Sequence, residues 1–138
     1  MKILIIDDHA LFREGLHYVL GELGTTITIL EAADFKQAMQ HVSTNPDLDL
    51  VLLDLDILGK DGLTILHLLA KAYPTMPVVI LSATNQASDI QRSLDAGAMG
   101  YIPKDSGRTV MQKALRQVLS GGIYAPSNKM AGDLAAEQ

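Results

Sequence analysis

Five short, uninterrupted apolar runs alternate along the chain with segments in which apolar residues recur at helical spacing. The runs are KILII at 2–6, ITIL at 27–30, LVLL at 50–53, VVILS at 78–82 and GYIP at 100–103. An apolar run without polar alternation is typical of a strand that is buried on both faces, as in a parallel sheet covered by helices. The sequence therefore predicts an α/β domain of five successive strand–helix units.

Acidic, hydroxyl and basic side chains lie at the carboxyl ends of four of the five predicted strands. Asp7 and Asp8 follow the first run, Asp54 follows the third, Ser82 ends the fourth, and Lys104 comes just after the fifth. In open doubly wound sheets the ligand binds at the carboxyl ends of the strands, where the strand order reverses. These residues are therefore the candidate site.

The candidate site also favours one strand order over another. In the order 2-1-3-4-5 the first and third strands are neighbours, about 4.8 Å apart, and the acidic residues can meet. In the order 3-2-1-4-5 another strand separates them, and Asp54 would lie apart. We therefore predict a flavodoxin-like (βα)5 doubly wound parallel sheet with the strand order 2-1-3-4-5.

Three carboxylates brought together repel one another unless a cation is present or one of them takes up a proton. Oxygen ligands without His or Cys suit Mg²⁺, which binds through one or two carboxylates and phosphate oxygens. A lysine and a hydroxyl at the same place add a positive charge and a donor for a phosphoryl group. The residue types therefore indicate phosphoryl transfer onto a carboxylate.

Composition sets further bounds. The 138 residues suit one domain, and 11 Lys+Arg against 16 Asp+Glu give a net charge of −5, which argues against nucleic-acid binding by this chain alone. The sequence has no cysteine for a disulfide or a thiolate metal site. We find neither a signal peptide nor an apolar run of the roughly 18 residues that cross a membrane. The expected location is the cytoplasm, with no membrane partner.

Four stretches in this order resemble the bacterial response-regulator receiver domain of two-component signal transduction: ILIIDDH, LLDLDILGKDG, VILSA and GAMGYIPKDS. The resemblance runs from Lys2 to about Ser120. It implies that Asp54 accepts a phosphoryl group from the phosphohistidine of a sensor histidine kinase and becomes 4-aspartylphosphate. It also implies that Mg²⁺ binds directly to Asp8, Asp54 and the main-chain carbonyl of Asp56, with Asp7 acting through water.

The same resemblance implies roles for three more residues. Lys104 would hold the phosphoryl group, Ser82 would move to meet it, and Tyr101 would rotate inward behind it as a switch. Asp54, Lys104 and Ser82 would then catalyse only the protein's own phosphorylation and slow dephosphorylation, so no enzyme with an external substrate is expected. One departure concerns the loop after the acceptor strand, where Ile57 and Leu58 replace the family's usual Met-Pro.

HALFREGL near the start and SGGIYAPS after the last predicted helix resemble the subgroup that carries a C-terminal helix-turn-helix DNA-binding domain. We therefore expect residues 1–122 to form the receiver domain and 123–138 to be a linker or tail, with the output domain absent. DNA contact, and with it transcription regulation, would require that output domain. The resemblance also allows a homodimer.

Two alternatives from other classes stay open at this point. Asp54-Leu55-Asp56 also resembles the paired aspartates of haloacid-dehalogenase-type phosphohydrolases, in which the first acid is the nucleophile. Those enzymes usually carry the pair on their first strand, whereas here another acidic pair precedes it. The second alternative is an interaction module that keeps the fold without being phosphorylated.

Overall fold

The computed structural model describes residues 1–24, 26–57 and 60–126, and the description of Lys60 covers its backbone only. Five parallel strands form the main sheet: β1 (Lys2–Ile6), β2 (Thr28–Ala32), β3 (Leu50–Asp54), β4 (Val78–Ser82) and β5 (Gly100–Pro103). Five helices connect or follow them: α1 (Ala10–Gly21), α2 (Phe35–Thr44), α3 (Gly62–Ala72), α4 (Ala87–Asp95) and α5 (Arg108–Leu119). The strand order is β2-β1-β3-β4-β5, so the predicted topology is confirmed.

The apolar runs form strands that are buried on both faces. Side chains alternate across the sheet: Leu4 and Ile6 point into a cluster covered by α2, α3 and α4, whereas Ile3 and Ile5 point into a second cluster covered by α1 and α5. All four side chains are fully buried. The two clusters hold the sheet in place from both sides and leave its carboxyl edge for polar residues.

Local signals set several helix boundaries. Asp34 caps the N-terminus of α2, where its side chain accepts a hydrogen bond of 2.8 Å from the backbone N–H of Gln37. The helix ends with Asn45 as its C-cap, as the Asn-Pro pair predicts. Asp61 caps α3 in the same way, accepting from the N–H of Leu63 at 3.1 Å.

The connection between β3 and α3 contains a short antiparallel pair that the sequence did not predict. Asp56–Ile57 pairs with Lys60–Asp61, and the remaining loop positions Leu58 and Gly59 lie outside the described residues. A Cβ added at Gly62 would lie 2.6 Å from the carbonyl oxygen of Asp54 and closer still to that of Leu55. Only glycine therefore fits where α3 starts beside the end of β3.

The chain after α5 continues along the outer edge of β5. The N–H of Tyr101 donates to the carbonyl of Tyr124 at 3.1 Å, and the N–H of Tyr124 donates to that of Met99 at 3.0 Å. Residues 127–138 of the predicted linker lie outside the described residues, and the domain boundary at residue 122 stays a prediction. In the described part of the chain, none of the helices has the length and apolar character needed to cross a membrane.

Candidate functional site

The predicted site residues occupy the carboxyl edge of the sheet. Backbone hydrogen bonds extend past the ends of two strands and fix the residues there. The N–H of Asp7 donates to the carbonyl of Ala32 at 3.0 Å, and the N–H of Lys104 donates to the carbonyl of Ser82 at 2.7 Å. Asp54 is the last residue of β3, which lies next to β1. The strand order thus brings the acidic residues and the lysine together.

The acidic residues form one cluster. Asp7 is fully buried, Asp54 is 2% exposed, and the side chain of Asp8 is largely covered. One potential ligand atom from each of Asp7, Asp8, His9 and Asp54 lies within 4.8 Å of the others. The predicted metal residues Asp7, Asp8 and Asp54 are therefore brought together.

Asp56, the fourth predicted metal residue, behaves differently. Its side chain is exposed, and it is not part of the cluster of potential ligand atoms. Its backbone N–H donates to Asp54 Oδ1 at 3.1 Å. The position therefore fits a role through the main chain, as the resemblance implied.

Lys104 is the cation of the cluster. Its Nζ lies 2.8 Å from Asp7 Oδ2 and 3.1 Å from Asp54 Oδ2, and its side chain is 14% exposed. It also lies 4.8 Å from the centre of the Phe12 ring, within the range of a cation–π contact. Burial lowers the pKa of Lys104, but the contacts with Asp7 and Asp54 outweigh it, so the pKa is raised overall. The ammonium form is therefore held in the site.

The acceptor candidate Asp54 has a raised pKa. Burial is the main cause, since it penalises the charged carboxylate. The hydrogen bond from the N–H of Asp56 opposes the shift, the charge of Asp7 adds to it, and Lys104 opposes it again. Lys104 is the one ammonium among the described side chains that contacts these carboxylates, and it leaves them undercompensated.

Two buried carboxylate oxygens, Asp7 Oδ2 and Asp8 Oδ1, have no hydrogen-bond partner among the described residues. The Asp7 oxygen lies at ion-pair distance from Lys104 without the directionality of a hydrogen bond, and we take the contact as electrostatic. Buried oxygens of this kind cost free energy unless a cation or donor reaches them. The donor set therefore fits a hard divalent cation such as Mg²⁺.

The predicted switch residues are linked through a residue that sequence reasoning missed. Ser82 is fully buried and accepts a hydrogen bond of 3.2 Å from the N–H of Thr84. The ring of Tyr101 is 0% exposed, and its hydroxyl donates to the carbonyl of Thr84 at 2.9 Å. Tyr101 therefore already lies inward in this structure, whereas the resemblance implied that it would rotate inward behind Ser82. Thr84 connects the two.

Two further residues at the site were also missed. Arg13, in the first half of α1, donates from Nη1 to the carbonyl of Asp7 and from Nε to Glu31 Oε1 at 2.9 Å. It thereby ties the loop after β1 to the end of β2. The other is His9, whose Nδ1 joins the acidic cluster. A sequence signal existed only for Arg13, which falls near the start of the helix that follows the acidic pair.

Comparison with known proteins gives the family. Residues 3–116 match the response regulator receiver domain. The glycerol metabolism activator of Pseudomonas putida is 42% identical over 125 residues, which are 91% of this chain and 57% of that relative. The chain thus spans little more than half the length of this curated relative.

Solved structures agree. A LuxR-family two-component response regulator from Aurantimonas sp. SI85-9A1 superposes with a TM-score of 0.85 at 25% identity, covering 99% of this chain and 96% of that one. A LuxR-family DNA-binding response regulator from Silicibacter pomeroyi gives a TM-score of 0.79 at 28% identity, with 91% and 97% covered. The chain belongs to the response regulator receiver domain family, and is a phosphoacceptor switch of two-component signalling rather than a catalyst acting on external substrates.

Proposed function

We propose that Asp54 is the phosphoacceptor of this receiver domain and that a sensor histidine kinase is its phosphodonor. The observation that carries the proposal is the 3.1 Å contact between Lys104 Nζ and Asp54 Oδ2 beside the acidic pair. This arrangement places a carboxylate nucleophile next to a fixed positive charge, which phosphoryl transfer requires. The roles proposed for Mg²⁺, Lys104 and Ser82 all depend on this assignment of Asp54.

In the proposed reaction, a carboxylate oxygen of Asp54 attacks the phosphorus of the kinase's phosphohistidine. A P–O bond forms while the P–N bond breaks, and the leaving imidazole keeps the electron pair and takes a proton. Lys104 then pairs with an oxygen of the transferred group, and Ser82 donates a hydrogen bond to another. Hydrolysis of the aspartyl phosphate by water resets the switch.

Asp8, Asp54 and the main-chain carbonyl of Asp56 would hold Mg²⁺ directly, and Asp7 would act through water. The ion would neutralise negative charge on the phosphoryl oxygens when it is bound. The two buried carboxylate oxygens without a hydrogen-bond partner support this assignment. Lys104 contributes positive charge at the same edge, through its contacts with Asp7 and Asp54.

The proposed switch couples the phosphoryl group to the surface near α4 and β5. Ser82, drawn toward the phosphoryl group, would pull on Thr84, whose carbonyl holds the hydroxyl of Tyr101 at 2.9 Å. Thr84 Oγ1 also donates to Asp89 in α4 at 3.0 Å. Movement at Ser82 can therefore change both the tyrosine and the start of α4.

We also propose that the output is transcription regulation through a helix-turn-helix domain outside this chain, in the cytoplasm. The DNA-binding response regulator from Silicibacter pomeroyi and the glycerol metabolism activator support this proposal. A homodimer and the identity of the kinase stay predictions.

Intact-mass spectrometry after incubation with acetyl phosphate and Mg²⁺ tests the acceptor. We expect one phosphoryl adduct on the wild-type chain and none on Asp54→Asn, with Asp95→Asn as the control that keeps the adduct. Equal adducts on the wild-type and Asp54→Asn chains would refute the assignment. No adduct on any of them would favour a non-phosphorylated interaction module.

A further inference from the structure

His9 directly follows the acidic pair, and its imidazole reaches into the acidic cluster. Nδ1 lies 3.0 Å from Asp7 Oδ1, 3.3 Å from Asp8 Oδ1 and 3.7 Å from Asp54 Oδ2. It also lies 3.0 Å from Lys104 Nζ. The side chain is 63% exposed, so one edge of the ring faces the carboxylates while much of the rest is open to solvent.

The main chain holds the ring in this place. The N–H of His9 donates to Asp7 Oδ1 at 2.7 Å, which fixes the residue against the buried acid. His9 is the N-cap residue of α1, but its side chain makes no capping hydrogen bond. The imidazole therefore does not stabilise the helix start and is turned instead toward the cluster.

A separate observation indicates that a cation belongs beside this nitrogen. Asp8 Oδ1 is buried without a hydrogen-bond partner among the described residues, and Oδ2 of the fully buried Asp7 has the ion pair with Lys104 in place of a hydrogen bond. Nδ1 of His9 lies within ion-pair distance of the same two carboxyl groups. A cation that satisfies these oxygens would thus have an imidazole nitrogen within reach.

We propose that His9 supplies a nitrogen ligand to this metal site and makes it select first-row transition-metal ions over Mg²⁺. The inference rests on the proposed function, because it concerns the cation of the same phosphoacceptor site. In this arrangement the ring proton is on Nε2, so that Nδ1 gives up its contacts with Asp7 Oδ1 and Lys104 and offers its lone pair to the metal. Lys104 keeps its contacts with Asp7 and Asp54.

The selectivity follows from ligand chemistry. Mg²⁺ is a hard ion that prefers oxygen and is reluctant to lose its water, whereas imidazole nitrogen suits ions such as Mn²⁺ and, more strongly, Co²⁺. A site made of carboxylates alone binds these ions in the same order of affinity, but the affinities differ less from one ion to the next. His9 should therefore widen the gap between Co²⁺ or Mn²⁺ and Mg²⁺, and its removal should narrow it.

The first test needs no variant to be interpreted. Electron spin echo envelope modulation of the Mn²⁺-loaded protein detects nitrogen nuclei bound to the metal. We expect imidazole nitrogen modulation in the wild-type protein, its loss in His9→Ala, and its retention in His67→Ala, which removes an exposed histidine of α3 outside the cluster. Bound Mn²⁺ without nitrogen modulation in the wild-type protein would overturn the proposal.

Calorimetric titration with Mg²⁺, Mn²⁺ and Co²⁺ gives the second test. His9→Ala should weaken Co²⁺ and Mn²⁺ binding by roughly tenfold or more, on the scale seen for groups that support metal ligands. Mg²⁺ binding should change much less, and His67→Ala should change none of the three. An equal effect of His9→Ala on all three ions would mean that His9 acts only through charge, and would also overturn the proposal.

Failure here can be told apart from failure of the proposed function. Phosphorylation of Asp54 by acetyl phosphate with Mg²⁺ is expected in the wild-type protein and in His67→Ala. If that adduct forms while Mn²⁺ shows no nitrogen ligand, the acceptor assignment stands and the role of His9 is wrong. If Mn²⁺ shows the nitrogen ligand and no adduct forms, the metal site stands without the acceptor.

Discussion

Among the side chains that the structure describes, one ammonium group contacts two buried carboxylates at the carboxyl edge of the sheet, and most of the site's energetics follows from that imbalance. Lys104 contacts Asp7 and Asp54, yet the pKa of Asp54 is still raised, chiefly by burial. The charged acid is therefore less favourable in the folded protein than in water. Such a residue is kept ionised at a cost in stability that a cation can remove.

This cost has a defined pH dependence. Because the pKa of Asp54 is raised on folding, the folded chain binds this proton more tightly than the unfolded chain does. Stability therefore falls as pH rises from the ordinary value of 3.8 through the raised pKa. Asp54→Asn should be more stable than wild type at neutral pH in EDTA, and the difference should shrink as the pH falls toward that range. Urea denaturation at several pH values measures it.

Mg²⁺ gives the control for that experiment, since a bound cation favours the ionised wild-type acid. The difference between the two proteins should shrink or reverse when Mg²⁺ replaces EDTA. If Asp54→Asn were the less stable protein at neutral pH in EDTA, burial would not be the dominant influence on this carboxyl group.

Removing the ammonium of Lys104 should lower the stability of the fold, whereas removing the charge of Asp54 should raise it. Lys104→Met leaves Asp7 and Asp54 buried without their cation, and breaking a buried pair in this way costs about 3–5 kcal/mol of unfolding free energy. Lys113→Met removes an exposed lysine of α5 and should stay within about 0.5 kcal/mol of wild type. Urea denaturation at neutral pH compares the two. Equal stability of both variants would show that Lys104 does not compensate the acids.

Sequence reasoning at the residue scale reached the acids, the hydroxyl and the lysine because each ends a strand. It missed the contact of His9 with the cluster. The position of the ring depends on the hydrogen bond that the backbone N–H of His9 donates to Asp7 Oδ1. It missed Thr84 for a similar reason, since its carbonyl meets Tyr101 only in the folded chain. Strand ends can be read from an apolar pattern, whereas loop directions cannot.

Among the secondary-structure elements, the strands were predicted closely where the apolar run and the hydrogen-bonded ladder end together. β1, β4 and β5 have the predicted bounds. β2 continues to Ala32, two residues beyond the apolar run, because Glu31 and Ala32 still pair with Ile5 and Ile6 of β1. α4 begins at Ala87, in a polar stretch that carries little periodic signal. Pairing with neighbours sets these ends, and a single segment does not contain that information.

Gly62 carries a prediction about how α3 meets β3. Gly62→Ala places a methyl group against the carbonyls of Asp54 and Leu55, so we expect a loss of about 1–3 kcal/mol from overpacking. Gly15→Ala is the matched control, since a Cβ there meets nothing within 4 Å and the residue lies inside α1. It should gain about 0.5–1 kcal/mol. Chemical denaturation of the two variants gives the comparison, and a neutral Gly62→Ala would contradict the close approach.

For the whole molecule, the site exists only when the four neighbouring strands β1, β3, β4 and β5 and the turn after β5 are assembled. Asp7, Asp54 and Lys104 are far apart in sequence and meet through the ladders β1–β3, β3–β4 and β4–β5. A cation that binds the acidic residues of this edge together binds the folded chain and not the unfolded one. Metal binding therefore becomes a measure of global stability.

Mg²⁺ should accordingly raise the melting temperature of the wild-type chain in proportion to the logarithm of its concentration above Kd. At a hundredfold excess over Kd the stabilisation is about 2.7 kcal/mol, which corresponds to a shift of several degrees for a domain of this size. Asp8→Asn removes one of the clustered carboxylates and should lose most of the shift, whereas Asp95→Asn, at the exposed end of α4, should keep it. Differential scanning calorimetry at constant ionic strength separates binding from screening, because screening would act on both variants alike. A shift equal in wild type, Asp8→Asn and Asp95→Asn would place the cation's effect outside the acidic edge, and the metal assignment would fail with it.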